Sequence, residues 1–153
     1  MIRRIEREDI PACAAIMREV YNNPLWQCRW NEKTSEAYLT DYFEAKKFLG
    51  FVCEIENEGG GREICAAMFC HEKIWWNNSE LFIDEMFVLP SMQRRGYGSA
   101  LLEAGEEYIK EKALAGFTLT TNRHSFAPAF YEKNGFERAE HILYMYKSME
   151  NGQ

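Results

Sequence analysis

Residues 82–113 read FIDEMFVLPSMQRRGYGSALLEAGEEYIKEKA. An apolar run carrying two adjacent acids, Asp84 and Glu85, passes into a loop with two arginines and two glycines. From residue 99 the loop opens into a helix, with Leu101, Leu102, Gly105, Tyr108, Ile109 and Ala113 on one stripe and Gly116 just past its end. A loop that leaves a strand and enters a helix presents unpaired backbone N–H groups, and the helix dipole puts positive potential at the same spot. Gly96 and Gly98 remove side chains that would block close backbone approach, and Arg94 and Arg95 add fixed charge nearby. The stretch therefore reads as a pyrophosphate cradle; on the glycines alone, a solvated strand–helix turn is the other reading. A P-loop is ruled out because Gly98 is followed by Ser99-Ala100 rather than Lys-Ser/Thr. A dinucleotide fingerprint is ruled out because Leu101 stands where its third glycine or alanine would be.

Working outward, a short strand around Ile2–Ile5 precedes a helix over REDIPACAAIMREVYN, with Asp9 as its cap candidate and Pro11 in the first turn. A second helix is expected through TSEAYLTDYFEAKK, capped by Thr34 or Ser35. FLGFVCEIE and REICAAMFCHEKIWW read as strands joined by the glycine-rich NEGGG, and SELFIDEMFV as a strand apolar on both faces and so central in a sheet. After the helix come a strand over FTLTTN, a short helix over SFAPAFYEKNG, and a last strand or hairpin over FERAEHILYMYKSM. No repeat or linker divides this order, which predicts one α/β domain over residues 1–153 on a mixed sheet.

The chain is long enough for a real core. Its net charge of −6 argues against a nucleic-acid partner, which would need a basic face. The five cysteines are odd in number and form no C-x-x-C, so a metal site is not expected and reduced thiols in a cytoplasmic setting are. Cys53, Cys65 and Cys70 fall in strand-like runs and read as core. No segment approaches a membrane span, so no membrane partner is expected.

QRRGYG, its Gln93 five residues after Val88, resembles the acetyl-CoA loop of the Gcn5-related N-acetyltransferase (GNAT) superfamily, Q/R-x-x-G-x-G/A. FYEKNGF at 130–136 resembles the family's late helix and following strand. The resemblance covers essentially the whole chain and loosely favours bacterial aminoglycoside and polyamine acetyltransferases. It implies an α/β fold with a mixed, mainly antiparallel twisted sheet flanked by helices, and acetyl-CoA as co-substrate with no metal. It further implies that the amides of Gln93, Arg94, Arg95, Gly96, Tyr97, Gly98 and Ser99 hold the coenzyme pyrophosphate. Phe87 and Val88 would pair with the pantetheine arm, and Asn122 would reach the coenzyme.

Acetyl transfer to an amine requires a base to free the nitrogen lone pair, a donor for the developing oxyanion and an acid for the departing thiolate. The resemblance gives Tyr131, the tyrosine of FYE, the acid role. Asp84 and Glu85 are the candidates for the base or amine anchor, because an apolar strand has no ordinary reason to carry either acid. Adjacent strand residues face opposite sides. Asp84, four places before Val88, stands where the resemblance to spermidine/spermine and some aminoglycoside acetyltransferases implies an acid that contacts the substrate amine or relays its proton, so it is preferred; a bulge would bring Glu85 into the cleft. The ordinary alternative for either is an ion pair with a neighbouring Arg or Lys. Histone-type members carry a catalytic glutamate six places before the strand valine, and Phe82 stands there. His71 and His141 carry no signal, and His124 reads as a loop residue.

For the acceptor, Trp26 and Trp30 with Tyr38, Asp41, Tyr42 and Glu44 suit an amine-bearing cation, with Trp75 and Trp76 as a further wall. Core or dimer-contact roles are the alternative for these aromatics. The expected reaction is acetyl transfer from acetyl-CoA to a primary amine of a small cationic molecule, in a ternary complex. Acetylation of a peptide or protein, or a non-catalytic CoA-binding regulatory domain, stay open beside it, as does a homodimer.

Overall fold

The computed structural model describes residues 1–150 and divides the chain into two compact units, Met1–Thr120 and Thr121–Gln153. In the first unit, β1 (Ile2–Arg4) leads through a single 3-10 turn into α1 (Ile10–Tyr21) and then α2 (Glu32–Phe43). β2 (Phe48–Glu56), β3 (Arg62–Lys73) and β4 (Glu80–Val88) follow, then α3 (Tyr97–Lys112) and β5 (Phe117–Leu119). The five strands form one sheet in chain order; β1 to β4 pair antiparallel, and β4 with β5 parallel. A parallel pair needs a crossover, and α3 supplies it.

The sequence explains most boundaries. Asn31, not Thr34 or Ser35, caps α2: its Oδ1 accepts from the Thr34 amide at 2.8 Å, while Thr34 Oγ1 accepts from the Asn31 amide at 3.0 Å. Asp9 occupies the cap position of α1, but its carboxylate accepts instead from the Glu6 amide (2.7 Å) and from both terminal nitrogens of Arg3 (2.8 and 2.9 Å). A bidentate guanidinium binds a carboxylate more strongly than one amide does, and it ties β1 to the start of α1. Helix α3 begins two residues earlier than expected, because Gly96 itself takes the left-handed cap conformation at φ 88°. It ends on Ala113, also left-handed at φ 54°.

Register assigns the two sheet faces. Val52, Ala67, Phe69 and Phe87 pack with Cys13, Met17 and Leu39 of α1 and α2. Phe51, Met68 and Cys70 alternate to the other face. There α3 lies so close that a β-carbon on Gly105 would sit 2.2 Å from Phe117 Cζ and 3.2 Å from Met68 Cε. Cys53, Cys65 and Cys70 are buried, as expected of core thiols. Burial pushes the Cys65 thiol up to about 12.

In the second unit, α4 (Ala127–Lys133) closes at Asn134-Gly135, where Gly135 takes φ 91° and the Phe136 amide donates back to Tyr131 C=O at 3.0 Å. Tyr131 is buried, its ring edge-on to Phe130 and Phe136 with centroids 5.2 Å from each. The closing strand expected over FERAEHILYMYKSM is not formed among the described residues; positions 136–150 carry no regular element and are mostly exposed. Strand β5 is likewise shorter than FTLTTN suggests, ending at Leu119.

Candidate active site

The acids sit at a discontinuity in β4. Pairing runs Phe69↔Glu85 and then Cys70↔Ile83, so Asp84 is an extra residue with no partner on β3. A bulge of this kind breaks the period-two alternation. Both carboxylates consequently turn to the α1/α2 face. Glu85 lies beside Phe69 and accepts from Tyr38 of α2 at 2.7 Å, and Asp84 Oδ2 meets His71 Nδ1 at 2.6 Å. The expectation that the two acids face opposite sides is thus corrected, and Glu85 joins Asp84. Among the described residues neither acid is held by an Arg or Lys; Asp84 meets an imidazole, and Glu85 meets phenols.

Burial raises both carboxyls above the ordinary range, partly offset for Asp84 by His71 and for Glu85 by the phenols of Tyr38 and Tyr21. Tyr38 and Tyr42 stack edge-on at 5.0 Å, with their hydroxyls 3.3 Å apart. Burial first, then the Glu85 charge, pushes the Tyr38 phenol well up, and Tyr42 is raised by burial with both acids contributing. The His71 side chain is about a third exposed, while that of Asp84 is only 9% so. Sequence reading missed His71; its only trace was an even spacing from Phe69 on an otherwise apolar strand, placing both on one face.

Trp30 packs against Tyr38 (centroids 4.8 Å) at the edge of the core, and Trp26 is edge-on to Tyr21 at 5.0 Å. Both are half-buried and lie on the helical side of the acids. Trp75 and Trp76 are exposed in the β3–β4 connection.

β4 pairs with β5 only as far as Ile83. Beyond that its outer edge leaves the sheet's pairing, and backbone alternation decides which groups face outward. The Leu89 amide donates to Cys65 C=O (2.8 Å), so with Phe87 two residues earlier in the same register, Phe87 bonds toward β3. Met86 and Val88 face the open side. Met86 C=O accepts from the Tyr21 hydroxyl (3.3 Å) and Val88 C=O from Gln93 Nε2 (3.1 Å). Met86 was not among the residues expected there.

In the loop that follows, Arg94 and Gly96 take φ of 64° and 88° with Arg95 between them, an alternation that turns successive amides into a concave nest for an anion. Among the described residues no side chain caps α3, and a β-carbon on Gly96 would meet nothing within 4 Å. Gln93, Arg94, Arg95 and Gly96 are exposed, Gly98 is buried, and Tyr97 and Ser99 lie between.

The family profile described as an acetyltransferase (GNAT) domain matches residues 46–138. The chain belongs to the GNAT acetyltransferase family. It is 34% identical over 56 residues to the uncharacterized N-acetyltransferase YhfO of Bacillus subtilis, a match covering 36% of this chain and 38% of that protein. The chain thus spans well under half the length of the curated relative it matches. Its fold is similar to that of the BH1408 protein tetramutant from Bacillus halodurans, with TM-score 0.79 and 19% identity over 97% of this chain and 99% of that one. It is also similar to AAC(6')-Iy in complex with the bisubstrate analog CoA-S-monomethyl-acetylneamine, with TM-score 0.74 and 15% identity over 97% and 98% of the two chains.

GNAT membership implies acetyl-CoA, and the loop fits that group: an uncapped helix start, a nest, two arginines and a glycine whose missing side chain keeps the approach open. Asn122 fits less well. It lies past the end of β5 and spends its Oδ1 on the His124 amide at 2.8 Å. Among the described residues no group of His, Cys, Asp and Glu is placed to hold a metal ion, and no helix is long and apolar enough to cross a membrane.

Proposed function

We propose that the protein is an acetyl-CoA-dependent N-acetyltransferase that acts on a primary amine of a small cationic molecule such as a polyamine or an aminoglycoside. The observation that carries the reading is the bulge that turns Asp84 and Glu85 onto one face, beside Tyr38 and Tyr42 and with His71 as neighbour. Two half-buried carboxylates among aromatic rings suit an ammonium group through charge pairing and cation–π contact. AAC(6')-Iy, similar in fold, was solved with an analog that joins coenzyme A to an acetylated amine, which supports a site that takes both partners together.

Acetyl-CoA supplies the acetyl group as a thioester. The amides from Gln93 to Ser99 with Arg94 and Arg95 hold its pyrophosphate, and the outward groups of Met86 and Val88 receive the pantetheine arm as an added strand. Glu85 anchors the incoming ammonium. The Asp84–His71 pair takes its proton, a role for which a carboxyl raised toward neutrality and an imidazole are suited. The freed nitrogen then bonds to the acetyl carbon as the carbon–sulfur bond breaks. Tyr131 keeps the role its motif implies, giving a proton to the departing sulfur. Trp26 and Trp30 line the acceptor side.

The reading is tested by measuring coenzyme A release from acetyl-CoA by mass spectrometry against polyamines, aminoglycosides, amino acids and short peptides. Release with the polyamines or aminoglycosides, lost in Asp84→Asn, is expected. Release only with peptides would move the acceptor to the protein class, and binding of acetyl-CoA without release would overturn the enzymatic reading.

A further inference from the structure

Side chains already hold the outward carbonyls of β4. Val88 C=O accepts from Gln93 Nε2 at 3.1 Å, on the loop side, and Met86 C=O accepts from the hydroxyl of Tyr21, the last residue of α1, at 3.3 Å. The second bond is long, since a hydroxyl donor usually sits about 2.7–2.8 Å from its acceptor. Its donor also has another partner within reach. Burial raises the Glu85 carboxyl, and the phenols of Tyr38 and then Tyr21 offset part of that rise by hydrogen bonding. Tyr38 is committed to Glu85 Oε2 at 2.7 Å, whereas Tyr21 is divided. A phenol carries one proton, so it donates fully to Met86 C=O or to the Glu85 carboxylate, not to both.

The position of Tyr21 gives this division a consequence. Its ring is edge-on to Trp26 (centroids 5.0 Å) and to Phe87 (6.5 Å), and its C=O accepts from the Cys28 amide at 3.3 Å. It therefore joins the α1–α2 loop to the open stretch of β4. On the coenzyme reading given above, on which this inference rests, the pantetheine arm brings amide N–H donors to the same edge, where they compete with Tyr21 for Met86 C=O. A buried donor displaced and left unpaired is costly. Here a carboxylate receives it, and a hydrogen bond to a charged acceptor is roughly twice as strong as a neutral one.

We propose that Tyr21 is a positioning residue linking the two halves of the site: its hydroxyl passes from Met86 C=O to Glu85 as the coenzyme arm takes the β4 edge, so that donor binding readies the acid that anchors the amine. The coenzyme selects the arrangement in which Tyr21 is bonded to Glu85, and its apparent affinity follows the population of that arrangement.

The test is calorimetric titration of acetyl-CoA into the wild type, Tyr21→Phe, Glu85→Gln and the double variant. Phenylalanine keeps the ring contacts and removes the hydroxyl alone. Glu85→Gln offers Tyr21 a weaker acceptor, leaves it on Met86, and should weaken acetyl-CoA binding by about two- to tenfold, the contribution of one hydrogen bond. Tyr21→Phe should bind at least as tightly as the wild type. The double variant should match Tyr21→Phe, because Glu85 acts on the coenzyme only through that hydroxyl. Weaker binding by Tyr21→Phe overturns the proposal, as does an equal loss from Glu85→Gln with and without Tyr21. In the full chain isotopically labelled at tyrosine Cζ, the Tyr21 resonance should shift on adding acetyl-CoA, and shift less in Glu85→Gln. A resonance that does not move also overturns the proposal, and this measurement decides if Tyr21→Phe fails to fold. A wild type that binds no acetyl-CoA overturns the coenzyme reading and the proposal together, an outcome distinct from binding that ignores Tyr21.

Discussion

Asp84 Oδ2 lies 2.6 Å from His71 Nδ1, across a strand pair whose register slips by one residue at that point. Burial holds the Asp84 carboxyl above its ordinary range, and the imidazole opposes that rise. His71→Gln removes the opposing partner, so Asp84 should stay protonated to higher pH, and the acid limb of kcat/KM should move up in pH. The rate itself should fall by about 100-fold, as for loss of a proton-transfer group, and Asp84→Asn should fall similarly. A pH profile of each variant checks both; a His71→Gln limb that stays in place would remove the pair from the reaction.

Glu85 gives a stability signature. Its folded pKa is raised by burial, so ionisation is harder in the fold than in the unfolded chain. The fold therefore keeps its full margin below the ordinary glutamate value of about 4.3 and loses some as pH rises through the higher folded value. Glu85→Gln should raise Tm at pH 7, by about 2–4 °C for each kcal/mol recovered, and change it little at pH 4. Tyr38→Phe should do the opposite, costing about 1–3 kcal/mol by leaving the buried carboxylate short of a donor. Thermal melts at the two pH values separate the cases.

At Gly96 space and backbone can be told apart. A β-carbon there meets nothing, yet φ is 88°. Gly96→Ala should cost about 1–2 kcal/mol in urea titration through backbone conformation alone. Acetyl-CoA affinity should drop at least tenfold as the nest distorts, read by calorimetry. Unchanged affinity would place the coenzyme elsewhere.

Gly105 is the converse. Its backbone is ordinary helix, but an added methyl would collide with Phe117 on β5. Gly105→Ala should destabilise by about 1–3 kcal/mol through overpacking, and Phe117→Leu in the same chain should recover part of that loss. Denaturant unfolding of the two variants tests whether this contact sets the spacing of α3 from the sheet.

The sequence by itself determined the element order from β1 through α4, the central apolar β4 and the glycine-arginine loop into α3, because these rest on local periodicity and on which residues tolerate left-handed backbone. It also determined the burial of Cys53, Cys65 and Cys70, which follows from their placement in apolar runs. It pointed to Asp84 and Glu85 because acids inside an apolar strand are anomalous. Only the tertiary structure decided which way they face. A bulge is a property of a strand pair, and the extra residue appears only when β3 sets the register. For the same reason His71 and Tyr38, 13 and 47 residues from the acids they meet, could not be read as partners beforehand. The outward turn of Met86 and Val88 likewise depends on which residues β3 claims.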